Sequence, residues 1–444
     1  MSAVKSLTAI SFVLLFALGG LPGYAADLTS VYELALKNDP VFGSQQATYK
    51  AEQESVPQAR SAFFPQISAA GSTGQIKDEL STSNPRLTPG EVTFNEDQIN
   101  LALTQSIFDK SLIIAFRQSK DQASLAKLIL DIAHQDLIFR VAQRYFNVLG
   151  GQDNLGLAKS EKKAIGRQLE LAQERLNVGL GTTTDLYDAQ ARFSLAEVSE
   201  IDAINFLEDA KQSLLELIGE YPGKLKLLDT DKVLTPPTPN NMSAWVKRAL
   251  RENLSIAVQR LTSELSSKEI ERQRSGHYPT VDFRLSHVER DTDNSLQGFA
   301  SDAKSTEGRI LLSIPIYQGG LVTSRTAEAS LRYEAALKDV DSQLRQVDRD
   351  TRSTFLDVTS GTPRIKALKQ AVKASESAVE AKQEGFAAGL DTNIDVLDAQ
   401  SDLFTAKRDY LLARYTYILN SLRLEALVGE LGKEDLSHFN GWLK

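Results

Sequence analysis

The thirteen prolines of this 444-residue chain are spread very unevenly. Six lie at or before Pro89, and the next is Pro222. Proline removes a backbone donor and clashes with the preceding turn, so a proline-free run permits very long helices. The run 90–221 is too long for one ordinary globular helix and too polar for a core helix. Within it Leu125, Ile132, Phe139 and Phe146 recur every seven residues, with Leu128 and Leu149 at the intervening apolar positions. Seven is the coiled-coil period and implies left-handed supercoiling.

A Gly-Leu-Gly turn at 179–181 interrupts this pattern, and a second heptad pattern follows. Ala189, Ala196, Ala203 and Ala210 form one column. Leu186, Phe193, Leu207 and Leu214 form another, with Glu200 breaking it. Alanines admit a close neighbour and the larger residues supply knobs. Two stripes on one helix point to contacts on more than one side, as in a curved wall of helices. A plain two-stranded coiled coil is the simpler alternative.

The chain repeats itself. Gly179 to Gln190 (GLGTTTDLYDAQ) returns 210 residues later as Gly389 to Gln400 (GLDTNIDVLDAQ), and an alanine column follows at Ala399, Ala406 and Ala413. Leu103–Phe108 parallels Leu312–Tyr317, Arg60-Ser61 with Pro65 parallels Arg274-Ser275 with Pro279, and Ala35–Asn38 parallels Ala249–Glu252. The division this predicts is a first repeat over 26–235, a Pro/Asn linker over 236–241 and a second repeat over 242–444. Each repeat would hold a helix, a strand pair (64–109; 278–317), a long helix (111–178; 320–388) and a return helix (184–219; 393–430). Pro363 falls inside the second long helix, where it predicts a kink or break; Gly150-Gly151 occupy the comparable height in the first.

The strands show two-residue alternation. Val281, Phe283 and Leu285 alternate with Asp282, Arg284 and Ser286, and Ile310, Leu312, Ile314 and Ile316 share a face. Ile99, Leu101 and Leu103 alternate with polar or small residues, whereas 65–74 is weakly apolar. Polar loops over 77–97 and 290–305 would join the pairs. Strands of about ten residues, apolar on one face, suit a membrane barrel; a soluble hairpin on a coiled-coil rod is the alternative.

Residues 1–25 read as a secretory signal: Lys5, an apolar run from Leu7 to Leu18, and small Gly23 and Ala25 before a cut at Ala26. An uncleaved anchor is the other reading. No later segment has the ~18 consecutive apolar residues of a spanning helix. A membrane role therefore requires a β-barrel. Four strands cannot close one, since the smallest have about eight, so several chains must pool theirs. Two chains would supply eight and three would supply twelve. A helix over 111–178 is on the order of 100 Å long at ~1.5 Å per residue, and its charged faces need water.

Composition removes most chemistry. With no cysteine there is no disulfide scaffold, thiolate metal site, cysteine nucleophile or lipid-anchoring cysteine. The net charge of −8 argues against nucleic acid. His134, His277, His287 and His438 are scattered, and His134 reads as a surface or packing residue. No catalytic constellation is present and no cofactor is expected. A secreted fibre and a self-sufficient porin remain the non-enzymatic rivals.

Several segments in combination resemble the TolC family of outer-membrane exit ducts. They are Leu103–Asp109, Tyr145–Leu149, Arg175–Leu180, Leu312–Gly320 and Asp395–Ala399. The resemblance covers nearly the whole chain beyond the leader. It implies a mainly α chain that forms a homotrimer, with a shared 12-stranded β-barrel in outer-membrane lipid, four strands per chain, and a trimeric α-barrel of coiled-coil helices beneath. It further implies a periplasmic adaptor and an inner-membrane transporter of RND, ABC or MFS type as partners. The lack of a cysteine fits the unlipidated branch.

By the same resemblance both turns lie at the periplasmic tip. Val178, Gly179, Leu180, Gly389 and Leu390 are then adaptor contacts. Asp395 and Asp398 form an acidic entrance ring, six carboxylates in a trimer and a possible cation site. Asp185 and Asp188 have the same i, i+3 spacing, read first as helix capping. The family closes its entrance with a tyrosine and an arginine of the second turn that reach an aspartate and a threonine of the first. Thr184 and Asp185 match the acceptors, but Phe386 stands at the tyrosine position and Asp391 at the arginine position. Asp391 near Asp185 would repel it. A closed state held by coiled-coil packing, or by a metal ion between carboxylates, is the expectation.

Overall fold

The computed structural model describes residues 25–81, 90–229, 232, 234–295 and 298–444. The expected leader, but for Ala25, lies outside them. Three short helices begin the described chain: α1 (Leu28–Asn38), α2 (Pro40–Gln53) and α3 (Ser55–Ser61). Strands β1 (Gln66–Leu80) and β2 (Gly90–Phe108) follow, then the 68-residue α4 (Lys110–Asn177) and the return helix α5 (Thr183–Ile218). The order then repeats: α6 (Met242–Glu252), α7 (Leu254–Arg274), β3 (Thr280–Thr292), β4 (Ser301–Ser313), the 67-residue α8 (Leu321–Ala387) and α9 (Asn393–Leu427). A short α10 (Lys433–Asn440) ends the series.

The strands form one antiparallel sheet in chain order, β1-β2-β3-β4. One face collects apolar side chains in register. Leu103 lies opposite Ile67 and Leu285, Phe283 opposite Ile310, and Val281 opposite Leu312. The other face carries Thr104 opposite Arg284, itself opposite Arg309. Strands of 13 to 19 residues exceed the expected ten. The apolar stretch remains short; polar residues simply continue the ladder beyond it, helped by pairs such as Lys77–Glu91 at 2.7 Å. The expected loops over 77–97 and 290–305 are correspondingly shorter, because their ends belong to strands.

The helices continue the sheet order. Near the sheet α2 and α3 pack on α4, α4 on α7, and α7 on α8; toward the far end α5 packs on α4, α4 on α9, and α9 on α8. The core lies between these halves. There Leu137, Ile138, Val141, Tyr145, Phe146 and Leu149 of α4 are essentially fully buried against Leu214 and Ile218 of α5 and Ile418 and Leu422 of α9. The Tyr145 hydroxyl donates to the Lys226 carbonyl at 2.8 Å. His134 is a packing residue, 2.7 Å from the Tyr32 hydroxyl and against Phe42.

The alanine column of α5 is buried throughout, and Glu200, which broke the knob column, is paired with Lys162 of α4 at 3.1 Å. At Pro363 the helix does not break: α8 continues across it. A helical proline costs ~3 kcal/mol. Here Val358 and Ile365, one heptad apart on either side of it, are both held in the core. The nearby glycines serve close packing. A Cβ on Gly361 would sit 3.1 Å from the Tyr417 ring, and one on Gly151 3.2 Å from the Leu207 Cα.

Candidate functional site: the paired helix tips

Both long helices end in the same way. Gly179 and Gly389 adopt positive φ, +74° and +77°, which only glycine takes without strain. The Leu180 N–H reaches back to the Arg175 carbonyl at 2.8 Å, and the Leu390 N–H to the Gly385 carbonyl at 2.8 Å. These six-to-one bonds satisfy helix-end carbonyls in the Schellman manner. Such motifs commonly bury the residue after the glycine. Here Leu180 and Leu390 are 73% and 85% exposed, and Val178 is 69% exposed. Two turns thus present bare apolar tips.

Each return helix starts with a reciprocal cap. The Asp185 N–H donates to the Thr182 hydroxyl at 3.1 Å, and that hydroxyl donates to the Asp185 carboxylate at 2.7 Å. Thr392 and Asp395 repeat this at 3.2 and 2.6 Å. The bond from the Thr392 hydroxyl, with its N–H and nearby Lys382, holds the Asp395 carboxyl below the usual carboxylate range. Asp185 therefore spends its carboxylate on its own helix. Thr184 is exposed in the first turn of α5, with Asp188 half-buried on the same helix.

The second tip differs in its ions. Lys382 of α8 meets Asp391 at 2.6 Å and Asp395 at 3.9 Å. The contact with Asp391 raises the Lys382 pKa. A Cβ on Gly385 would collide with the Asp391 carboxylate. The missing side chain thus lets Asp391 fold back onto its own hairpin. Phe386 is half-buried with the Arg175 guanidinium 4.4 Å from its ring centre. Asp398 receives Arg192 of α5 at 2.5 Å. Among the described residues no group of three His, Asp or Glu stands ready to hold a metal.

Sequence reasoning located the turns and the aspartates but missed Arg175, Lys382 and Arg192. Lys382 lies nine residues before Asp391, on the far side of the helix end and its turn. Arg192 and Asp398 are 206 residues apart, and no local signal joins them.

The family model described as outer membrane efflux protein matches residues 31–220 and 245–430. The chain belongs to the outer membrane efflux protein family. It is similar to the outer membrane protein TolC of Vibrio cholerae, 33% identical over 322 residues, 72% of this chain and 71% of that one. It is likewise similar to the TolC of Escherichia coli, 32% identical over 327 residues, 72% of this chain and 65%, just under two thirds, of that one. In fold it resembles the Campylobacter jejuni CmeC outer membrane channel, with a TM-score of 0.77 at 15% identity over 100% of this chain and 98% of that one. As a member of the efflux family the chain is an outer-membrane exit duct of a Gram-negative envelope. No described helix is long and apolar enough to cross a membrane.

Proposed function

We propose that three copies of this chain close a twelve-stranded barrel and a helical wall, and conduct molecules passively from a periplasmic adaptor and an inner-membrane transporter of RND, ABC or MFS type. The cargo leaves through efflux or type I secretion. No catalysis is assigned. The observation that carries this reading is incompleteness: one protomer leaves β1 and β4 each with an unpaired side. Ile67, Ile310 and Leu312 beside those edges are 76%, 71% and 61% exposed. An open sheet edge does not survive in lipid. Along α5, Leu195, Val198, Ile201 and Phe206 are also exposed, a surface that a neighbouring protomer would cover. A secreted fibre has no use for the apolar sheet face.

In this reading the tips form the periplasmic entrance. Thr184, Asp185, Phe386 and Asp391 lie where the gate closes, and Asp395 and Asp398 give the ring that attracts cations. Val178, Gly179, Leu180, Gly389 and Leu390 meet the adaptor through their exposed apolar and small surfaces. The test is deletion of the gene with complementation. The expected result is drug hypersensitivity or lost secretion, restored by the wild-type chain, which runs as heat-modifiable trimers in the outer-membrane fraction. Gly179→Trp should leave the trimers and abolish export. Monomers outside the membrane fraction would overturn the reading.

A further inference from the structure

The two hairpins of a protomer are α4–α5 and α8–α9. Toward the tips their shared apolar packing is a small cluster in which Leu397 of α9 lies with Ile165, Ala172, Ala189 and Ala196 of α4 and α5. Several ion pairs nearby stay within one hairpin. Lys162 of α4 holds Glu197 and Glu200 of α5, Lys407 of α9 holds Glu376 of α8, and Lys382 holds Asp391. Two contacts cross instead. The Arg192 guanidinium meets the Asp398 carboxylate at 2.5 Å, and the Arg175 guanidinium covers the Phe386 ring at 4.4 Å. In both, an arginine of the first hairpin reaches the second.

The position so held is not wholly comfortable. Asn393, Val396, Leu397 and Gln400 are spaced i, i+3, i+4, i+7 and are all buried. Both amide atoms of Asn393 and the amide oxygen of Gln400 have no hydrogen-bond partner. Buried polar groups without partners penalise the state that buries them. Movement of α9 that admitted water would relieve this, so the observed packing of α9 needs ties to oppose the relief.

We infer that Arg192 and Arg175 are those ties: a two-arginine latch on the first hairpin that holds the second hairpin shut. The inference rests on the reading of the tips as the gate. It moves the holding groups away from Asp391, which is committed to Lys382 within its own hairpin. Phe386 needs no hydroxyl, because its ring face receives Arg175. Arg192 and Asp398 are each about half exposed, at 42% and 53%, so a single pair is weak. The latch works by repetition around the entrance, and release of one pair frees a carboxylate at the mouth.

The test uses intact trimers in planar bilayers. Arg192→Gln should raise single-channel conductance several-fold, with Arg175→Ala adding to it. The charge exchange Arg192→Asp with Asp398→Arg should return conductance toward wild type. Wild-type conductance in heat-modifiable Arg192→Gln trimers would overturn the latch, as would an exchange variant as open as the single one. A second arm separates the latch from the gate. The chain has no cysteine, so Arg192→Cys with Asp398→Cys can be joined selectively by a short bifunctional thiol reagent. Blocked export together with a more conductive Arg192→Gln supports both. Blocked export with wild-type conductance in Arg192→Gln leaves the gate and removes the latch. Undiminished export after complete cross-linking removes both.

Discussion

The two tips are built on one plan and used differently. Each has a glycine at positive φ, a six-to-one carbonyl bond and a reciprocal Thr/Asp cap. At matching places, 210 residues apart, the first tip has Arg175 and Gly181 while the second has Gly385 and Asp391. In each pair one residue is a glycine that makes room for the other: a Cβ on Gly181 would lie 3.2 Å from Arg175 Cβ, and one on Gly385 would strike Asp391. The first tip thereby keeps a cation free to reach across. The second keeps an anion tied inward. A duplicated unit has been divided into a holder and a held part by exchanging which position is the glycine.

Overpacking should expose the asymmetry most strongly. Ala189 is fully buried, whereas its counterpart Ala399 is half-buried. Ala189→Leu should destabilise by ~1–3 kcal/mol and Ala399→Leu clearly less, read as the heat-dissociation temperature of the trimer. Equal losses would show the two alanine columns to be equivalent. The caps should behave alike. Thr182→Ala and Thr392→Ala should each cost about 1 kcal/mol in hydrogen-exchange protection of the first turn of their helices. A difference between them of that size would break the shared plan.

The cross-tip stack is smaller. A double-mutant cycle of Arg175→Ala and Phe386→Ala should give a coupling of ~0.5–1 kcal/mol, the range for exposed cation–π pairs. No coupling would mean that the ring is only packed. The smallest effect is in pH. The folded pKa of Asp395 is depressed by Thr392. Its contribution is therefore fully present above the unfolded value of about 3.9 and is lost as pH falls through the lower folded value. Exchange protection of the first turn of α9 should decline in that acid window, and Asp395→Asn should remove the pH dependence while leaving the rest of the helix unchanged.

The long helices were legible because proline absence and a seven-residue period are local properties of the chain. So were the tip turns, which glycine and the Thr/Asp spacing specify. Strand β1 was nearly illegible. Ala69, Gly71 and Thr73 offer little apolar signal, yet their backbone pairs fully with Leu101, Ile99 and Asp97. Pro363 does not end α8, because Val358 and Ile365, one heptad apart around it, are held in the core. The ion pairs at the tips were hidden for the same reason on a larger scale. Lys382 redirects Asp391 through a turn, and Arg192 finds Asp398 only once two hairpins have packed.

The free sides of β1 and β4 have a genetic consequence. If each chain completes its sheet only with its neighbours, a variant that folds but carries a faulty tip enters the same assemblies as the normal chain. With equal expression of both, only about one trimer in eight would be free of faulty copies. Alleles that damage the tips should therefore be dominant, whereas alleles that destroy the edge strands should be recessive, because their products never join. Co-expression of tip and edge variants with the wild type would sort residues into these two classes without purifying any protein.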